Sequence, residues 1–478
     1  MQTVPPAAST LHQTLQERLS EIWPAIALIS KTAEQKGWTA YLVGGAVRDL
    51  LLGFIPSFRG KRQALVDIDI VVEGAEPGAG VALAQALQAK YPQVSVQIYG
   101  QFQTAALVWP YKTDITETGA SAIAEAAPPS SSPLSPLSID IATARTEFYP
   151  YPAANPEVKA SSIEQDLYRR DFTINAMAIC LTQGGDLPVG TLLDAFDGWT
   201  DLQLQQVRVL HSQSFIDDPT RIFRAVRFAV RLGFSIDTQT EQLVRTAVDS
   251  GIYAQMRTDS RKTPALQSRL KAELAYLLQT KTWEASLQEI TRLGAWACLD
   301  SDLDITPLLW RQLRRMDRWL ARFGASFDSQ PRWLMLLELL LLQLPPSRAA
   351  SVANYLNLEA ASQRRLENLP LWEARLIEQL AQFQRPSHIY ALLKRYDMCE
   401  LLLMSDRHPF TLGPHIWQYI VRLSQVVSPI DGATLKRLGL QPGPQFREIL
   451  TKIHYLTLDG ELTTTQAAEQ YVLTHYLS

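Results

Sequence analysis

The chain of 478 residues predicts an α+β protein, a mixed β-sheet head followed by an all-α remainder. The first observation behind this is that short β-branched or alternating runs are confined to residues 40–142, as strands of one mixed sheet would be. The second is that the chain turns helical from about residue 160 and shows no convincing strand from 260 onward. The third is length: at roughly 100 to 200 residues per domain the chain holds about three domains and is no small binding module. With 46% apolar and 19% charged residues it is an ordinary globular chain able to bury a core.

The elements follow in order. Leu11, Leu15, Leu19, Ile22, Ile26, Ile29 and Ala33 recur at helical spacing, so a leading amphipathic helix is expected over 11–37. Strands are expected at Ala40–Val43, Asp67–Val72, Val94–Tyr99, Thr104–Trp109 and Ser138–Ala142. Between the last two lies a stretch of about 116–137 containing EAAPPSSSPLSPL, which is expected to be a disordered insertion. Ala144–Glu164 reads as a long loop, and long loops in compact domains commonly serve function. Trp333–Leu344 is too short to span a bilayer and contains Glu338, so it reads as a buried helix. Trp310–Phe323 carries Arg311, Arg314, Arg315, Arg318 and Arg322 among apolar residues, either a solvated arginine face or an RNA contact.

Composition bounds the function. Lys plus Arg number 45 against 48 Asp plus Glu, a net charge of −3, so any nucleic-acid contact must come from local basic patches. Cys180, Cys298 and Cys399 lie far apart, which excludes a disulfide framework and a Cys-x-x-Cys metal site and suits a reducing, cytoplasmic setting. The N-terminus lacks the basic-then-apolar run of a signal peptide, and no membrane partner is expected.

Four motifs carry chemistry. In YLVGGAVRDLLLG a strand runs into Gly44 and Gly45 and then into a helix, which aims backbone N–H groups at an anion, with Arg48 as a charged fork. Taken alone, such a turn serves phosphate binding or only the strand-to-helix geometry. In VDIDIVVEG, Asp67 and Asp69 at i and i+2 project to the same face, and two parallel carboxylates repel unless cations sit between them; alone the motif reads as well as a solvated edge strand with two exposed acids, but the glycine turn stands about 20 residues upstream. Mg²⁺ is the cation expected, since it is hard and oxygen-loving. Asp140 in SIDIA is another acid in an apolar strand, either a third carboxylate beside the pair or a plain strand acid. Downstream, Arg169, Arg170 and Asp171 open a helical stretch, either a surface charge cluster or a place where Arg170 could reach triphosphate oxygens. Last, DDPTRIFRAVRFAVRLGF starts with Asp217 and Asp218, which suit a helix start, and continues with Arg221, Arg224, Arg227 and Arg231 as one stripe, either a solvated arginine face or one whose mutual repulsion calls for an anionic partner such as a triphosphate or an RNA backbone.

LVGGAVRDLLLG, the DID strand, RRDFTINAMA and DDPTRIFRAVRF, in this order over about 40–235, resemble the class II tRNA nucleotidyltransferase and poly(A) polymerase family. DGATLKRLGLQPGPQFREILTKIHYLTLDGEL, Asp431–Leu462, is similar to the tail of its CCA-adding branch. The resemblance implies a nucleotidyltransferase-type sheet head with an all-α neck, body and tail. The expected division is 1–25 as an N-terminal extension, 26–180 head, 181–265 neck, 266–390 body and 391–478 tail. It implies that Asp67 and Asp69 hold the catalytic Mg²⁺, that Gly45 and Arg48 form the triphosphate turn, and that Arg170, with Arg169 beside it, helps bind nucleotide. It further implies that Asp218 and Arg221 read the incoming base, with Arg224 and Arg227 as further nucleotide contacts. The family usually has Glu where Asp217 stands, which leaves that position's role open.

Cytosine and adenine present an amino donor beside a ring-nitrogen acceptor, whereas uracil and guanine present the reverse. An acceptor Asp218 beside a donor Arg221 therefore fits C and A. The implied reaction is attack of the tRNA 3′-hydroxyl on the α-phosphate of CTP or ATP with release of pyrophosphate. A full CCA-adding enzyme is the leading expectation and an A-adding enzyme the alternative. A CC-adding enzyme would lack the loop after the sheet, and a poly(A) polymerase would carry a basic signature after the metal-binding strand. A non-catalytic RNA-binding protein on this fold would be expected to lack an acid of the DID pair. In the tail, Lys436, Arg437 and Arg447 are the candidate RNA grips, against solvated helix charges.

Overall fold

The computed structural model describes residues 4–58, 65, 67–74, 77–100, 103–109, 137–148, 157–183, 187–258, 264–323, 331–382 and 385–477. It divides into two compact units, Met1–Glu273 with Glu284–Cys298, and Leu274–Trp283 with Leu299–Ser478.

The first unit is built on a seven-stranded mixed sheet. Its strands are β1 (Thr39–Val43), β2 (Ile68–Glu73), β3 (Ser95–Tyr99), β4 (Thr104–Trp109), β5 (Leu137–Thr143), then β8 (Ala178–Cys180) and β9 (Leu192–Leu193), in the order β3-β4-β5-β2-β1-β8-β9. β6 (Arg145–Phe148) and β7 (Glu157–Ala160) form a separate antiparallel pair. β1 and β2 run antiparallel, while β2 and β5 run parallel with Asp69 opposite Asp140. Alternation sorts the faces: Val43 and Val71 join a cluster with Ile163, Leu167 and Ala178, while Ile68 and Ile70 are buried on the other side.

Three sequence expectations change here. The leading helix is two helices, Ala8–Arg18 and Trp23–Gln35, with Pro24 in the first turn of the second. Proline has no amide hydrogen to donate and its ring collides with the carbonyl four residues back, so the first helix cannot run through it. The expected loop Ala144–Glu164 contains β6 and β7 and the start of the helix Ile163–Tyr168. The sheet also gains β8 and β9, from a region expected to be helical. Three residues inside an apolar run have no periodicity of their own, and β8 is a strand because Tyr41–Val43 of β1 pairs with it. The expected insertion at 116–137 lies outside the described residues except for Leu137, which begins β5.

The second unit is helical throughout its described residues. The helix Arg332–Leu341 is buried from Leu334 to Leu341. Its Glu338 is fully enclosed and is held by Arg365 Nε at 2.8 Å and Nη2 at 2.7 Å. Toward the chain end, Ile430, Leu435, Ile449, Ile453, Ala468 and Val472 form a smaller core. No helix among the described residues is long and apolar enough to cross a membrane.

Candidate active site

Within the first unit a cavity of about 750 Å³ is lined by nine arginines and seven carboxylates. It gathers Gly45, Arg48, Asp67, Asp69, Arg169, Arg170, Asp218, Arg221, Arg224 and Arg227 from four separate stretches of sequence. Asp140 is not on its lining, although the β2–β5 register sets it directly across from Asp69.

The floor begins at the end of β1. Gly44 has φ 72°, a conformation that L side chains rarely adopt, and a Cβ there would stand 2.8 Å from Arg170 Nη1 and 3.7 Å from Asp69 Oδ2. The glycine thus lets a guanidinium and a carboxylate approach one backbone turn. Arg48, one turn into the helix Gly45–Leu52, is buried. It donates from Nε to Asp49 Oδ1 at 2.8 Å and from Nη1 to Asn175 Oδ1 at 2.7 Å, with its guanidinium 5.0 Å from the Phe228 ring centre. It therefore forms part of the wall rather than extending as a loose fork.

Asp67 is exposed at the head of β2 and Asp69 lies half-buried two residues on. Burial raises the Asp69 carboxyl above its ordinary range; Arg170 opposes this, and Asp140, Asp67 and Asp166 add to it. Asp140 is likewise pushed up, by partial burial first and then by Asp67. Crowded carboxylates with raised proton affinity are a place where a hard cation is favoured, so the donor set fits a divalent metal. Among the described residues no group of three or more His, Cys, Asp or Glu is placed to hold a metal ion.

Arg169 and Arg170 diverge. Arg169 donates to Asp166 Oδ1 from Nε and Nη2, at 3.0 and 2.8 Å, and to Glu147 Oε1 at 2.6 Å. Arg170 donates to Asp166 Oδ2 at 3.1 Å and reaches toward Gly44. Burial alone would raise the Asp166 carboxyl, but Arg170 and Arg169 bring it below its ordinary value.

The far wall is the arginine helix Thr220–Leu232. Asp218 precedes it, and its Oδ1 accepts from the Thr220 amide at 3.0 Å and the Thr220 hydroxyl at 2.6 Å. The anionic partners that the stripe calls for are already supplied in part by the protein. Arg224 donates to Asp171 Oδ2 at 2.8 Å from Nε and to Glu273 at 3.3 Å, and Arg227 Nε stands 3.2 Å from Glu273. Arg231 stands 3.6 Å from Asp49. Asp171 is buried, which would raise it, yet Arg224 and Asn175 hold it below the usual carboxylate range. Arg221 donates to Ser214 Oγ at 2.7 Å and to the Arg169 carbonyl at 3.1 Å.

Sequence reasoning missed Asp49, Glu147, Asn175, Arg269 and Glu273. Glu273 and Arg269 share the helix Pro264–Gln279, one turn apart, and carry no local signal beyond ordinary helix charges.

The second unit holds the three tail candidates, and only Arg447 lines a groove, of about 540 Å³, with Tyr390, Lys394, His454 and Tyr455. Lys394 Nζ lies 5.5 Å from the Tyr390 ring centre and 5.4 Å from that of Tyr455. Arg437 is paired with Glu469, and Lys436 is exposed outside the groove.

The family model for the poly(A) polymerase head domain matches residues 40–208. The chain is 30% identical to the A-adding tRNA nucleotidyltransferase of Geobacter sulfurreducens over 453 residues, 92% of this chain and 46% of the relative. It is 29% identical to that of Halalkalibacterium halodurans, over 90% of this chain and 87% of the relative. The chain spans about half the length of the Geobacter and Aquifex relatives it matches. Among solved structures it resembles the Thermotoga maritima CCA-adding enzyme complexed with tRNA, with a TM-score of 0.70 and 27% identity, over 98% of each chain.

Proposed function

The chain belongs to the tRNA nucleotidyltransferase and poly(A) polymerase family, and we propose that it adds CCA to the 3′ end of tRNA from CTP and ATP without a nucleic-acid template. The observation that supports this best is one cavity lined by Asp67, by Asp69 beside the Gly44 turn and Arg170, and by Asp218 at the start of the arginine helix. Nucleotidyltransferases generally work with a divalent metal; Asp67 and Asp69 would hold it, here Mg²⁺, and it would supply Lewis-acid stabilisation of the phosphoryl group.

The protein's own residues do the rest. Arg170 and the Gly44–Gly45 turn receive the triphosphate, with Arg224 and Arg227 contributing positive charge farther along the wall. Asp218 accepts from the exocyclic amine of cytosine or adenine through Oδ2, since Oδ1 is taken by Thr220. The RNA 3′-oxygen bonds to the α-phosphorus, the bond from that phosphorus to the bridging oxygen breaks, pyrophosphate departs and the hydroxyl proton passes to solvent. In the tail, Arg447 with Lys394 and Tyr455 would grip tRNA phosphates and sugars, and Lys436 and Arg437 would add outer charge.

A second reading, addition of the terminal A only, is favoured by the A-adding relative that aligns over 92% of the chain. The test supplies CTP and ATP separately to tRNA transcripts ending in the discriminator base, C or CC. Incorporation of C on the shortest transcript together with A on the CC end establishes CCA addition, incorporation confined to ATP on the CC end establishes A addition, and incorporation of C without A on the CC end overturns both in favour of CC addition. No incorporation on any end refutes both. Asp67→Ala or Asp69→Ala is expected to abolish incorporation, and activity within about tenfold of wild type would sink the metal assignment.

A further inference from the structure

One neutral side chain joins two walls of the cavity. Asn175 ends the short helical turn Thr173–Asn175, is 7% exposed, and has its amide engaged at both ends. Oδ1 accepts from Arg48 Nη1 at 2.7 Å, and Nδ2 donates to Asp171 Oδ1 at 2.9 Å. The neighbours force this orientation, because a guanidinium only donates and an ionised carboxylate only accepts. On the first side, Arg48 is gripped at Nη1 by Asn175 and at Nε by Asp49, which fixes the plane of its guanidinium. Its third nitrogen, Nη2, then lies 3.5 Å from where a Cβ of Gly45 would stand, toward the glycine turn. On the second side, the other oxygen of Asp171 accepts from Nε and Nη2 of Arg224. Burial would raise the Asp171 carboxyl, but Arg224 and Asn175 keep it below the usual carboxylate range, so it stays the anion that holds Arg224.

We infer that Asn175 is a positioning residue for the nucleotide triphosphate, a deeper statement that rests on the nucleotidyltransferase reading above. It acts through others: through Arg48 it turns a donor toward the glycine turn, and through Asp171 it fixes the donors of Arg224 on the arginine helix. All of these residues line the same cavity. A free arginine must give up its swivelling when a phosphate arrives, whereas donors already aimed cost no reordering at that moment. The amide suits the task because it is a donor and an acceptor on one short, neutral frame. A carboxylate in its place would turn an oxygen toward Asp171, and an apolar side chain would drop both bonds.

Steady-state kinetics with ATP and tRNA ending in CC, a substrate that both the CCA-adding and the A-adding reading accept, test this. Asn175→Asp keeps the shape and the acceptor for Arg48 and loses only the donor to Asp171. It is expected to raise the KM for ATP by about 10-fold or more, the range for a lost buried polar contact, and to leave the KM for tRNA within about threefold. Asn175→Ala, which loses both bonds, is expected to raise the KM for ATP at least as far. A side chain that only fills space tolerates the isosteric change, so an unchanged KM for ATP in either variant overturns the inference. A variant that is partly unfolded loses kcat through its active fraction and keeps both KM values, and that outcome overturns it as well. The link to the two arginines is read by non-additivity. Arg48→Lys and Arg224→Lys are each expected to lower kcat/KM for ATP by about 10-fold in the wild-type background and by less than about threefold in Asn175→Ala. Full additivity shows that neither arginine is positioned through Asn175 and refutes the assignment. Wild type that adds no A to CC-ended tRNA overturns the underlying function instead, which separates the two failures.

Discussion

Two arginine helices look alike in sequence and live differently in the fold. In Thr220–Leu232, Arg224, Arg227 and Arg231 face Asp171, Glu273 and Asp49 across a cavity. In Pro307–Phe323, the arginines lie mainly along their own helix: Arg314 is 5.4 Å from the Trp310 ring centre, Arg315 is 5.6 Å from that of Trp319 and Arg322 is 5.4 Å from that of Phe323. There only Arg315 is anchored by a buried acid among the described residues, with its Nε 2.5 Å from Asp406 Oδ1. The same residue type at the same spacing lines a cavity where other elements bring carboxylates opposite it, and packs along its own helix where they do not.

The sharpest way to break that contrast is to remove one arginine from each helix. Arg224→Ala uncovers the buried Asp171, so it is expected to lower nucleotide incorporation by about 100-fold or more and to cost stability of about 2–4 kcal/mol, reduced from the fully buried case because Arg224 is partly exposed. Arg314→Ala is expected to leave incorporation within about threefold and stability within about 0.5 kcal/mol. Steady-state rates and thermal unfolding of both variants check this, and equal losses would erase the distinction.

Much of the first wall was legible in the chain. The DID alternation and the glycine turn are local patterns, and a strand's period of two fixes which acids share a face. The opposite wall was only half legible. Arg224 and Arg227 were visible as a stripe, but Glu273 and Arg269 sit on a helix about 50 residues later, where one turn of helix carries an acid and a base like any solvated surface. Their meaning comes from tertiary packing alone. The strand β8 escaped for the same reason, since its three residues become a strand by pairing with β1. In the tail, Arg447 was picked with Lys436 and Arg437, yet the groove partner Lys394 lies 53 residues away and nothing near it marks it.

A smaller effect tests the anchored exception in the second helix. Arg315→Ala leaves Asp406, which has no exposed side-chain surface, without its cation and is expected to destabilise the chain by about 2–3 kcal/mol with little change in kcat for incorporation. Chemical denaturation at pH 7 measures it.

The smallest expected effect is a pH dependence. Burial pushes Asp406 up from its ordinary 3.8 to about 6, against the opposing pull of Arg315. A raised carboxyl binds its proton more tightly in the folded than in the unfolded chain. Its contribution is therefore full below about pH 4 and is lost as pH rises through about 6. Asp406→Asn is expected to flatten this part of the profile, by about 1–2 kcal/mol in the difference between pH 4.5 and 7. Parallel profiles for wild type and variant would show that Asp406 stays ionised throughout.

The balance of charge in the cavity wall also governs how a polyanion is admitted. Nine arginines set against seven carboxylates leave an excess of two positive charges, before any metal is counted. Entry of a triphosphate is then an exchange in which incoming oxygens compete with Glu273, Asp171 and Glu147 for guanidinium groups that already have partners, rather than the filling of a naked basic hole. Stray phosphates and loose RNA ends gain less from such a surface than from a naked basic one, because much of its guanidinium charge is already paired with carboxylates. On the proposed function, the affinity for ATP should fall with ionic strength as if about two charges were involved and not nine, so the cavity would keep its discrimination in a salty, polyanion-rich solution where an unbuffered arginine cluster would be occupied by whatever diffused past.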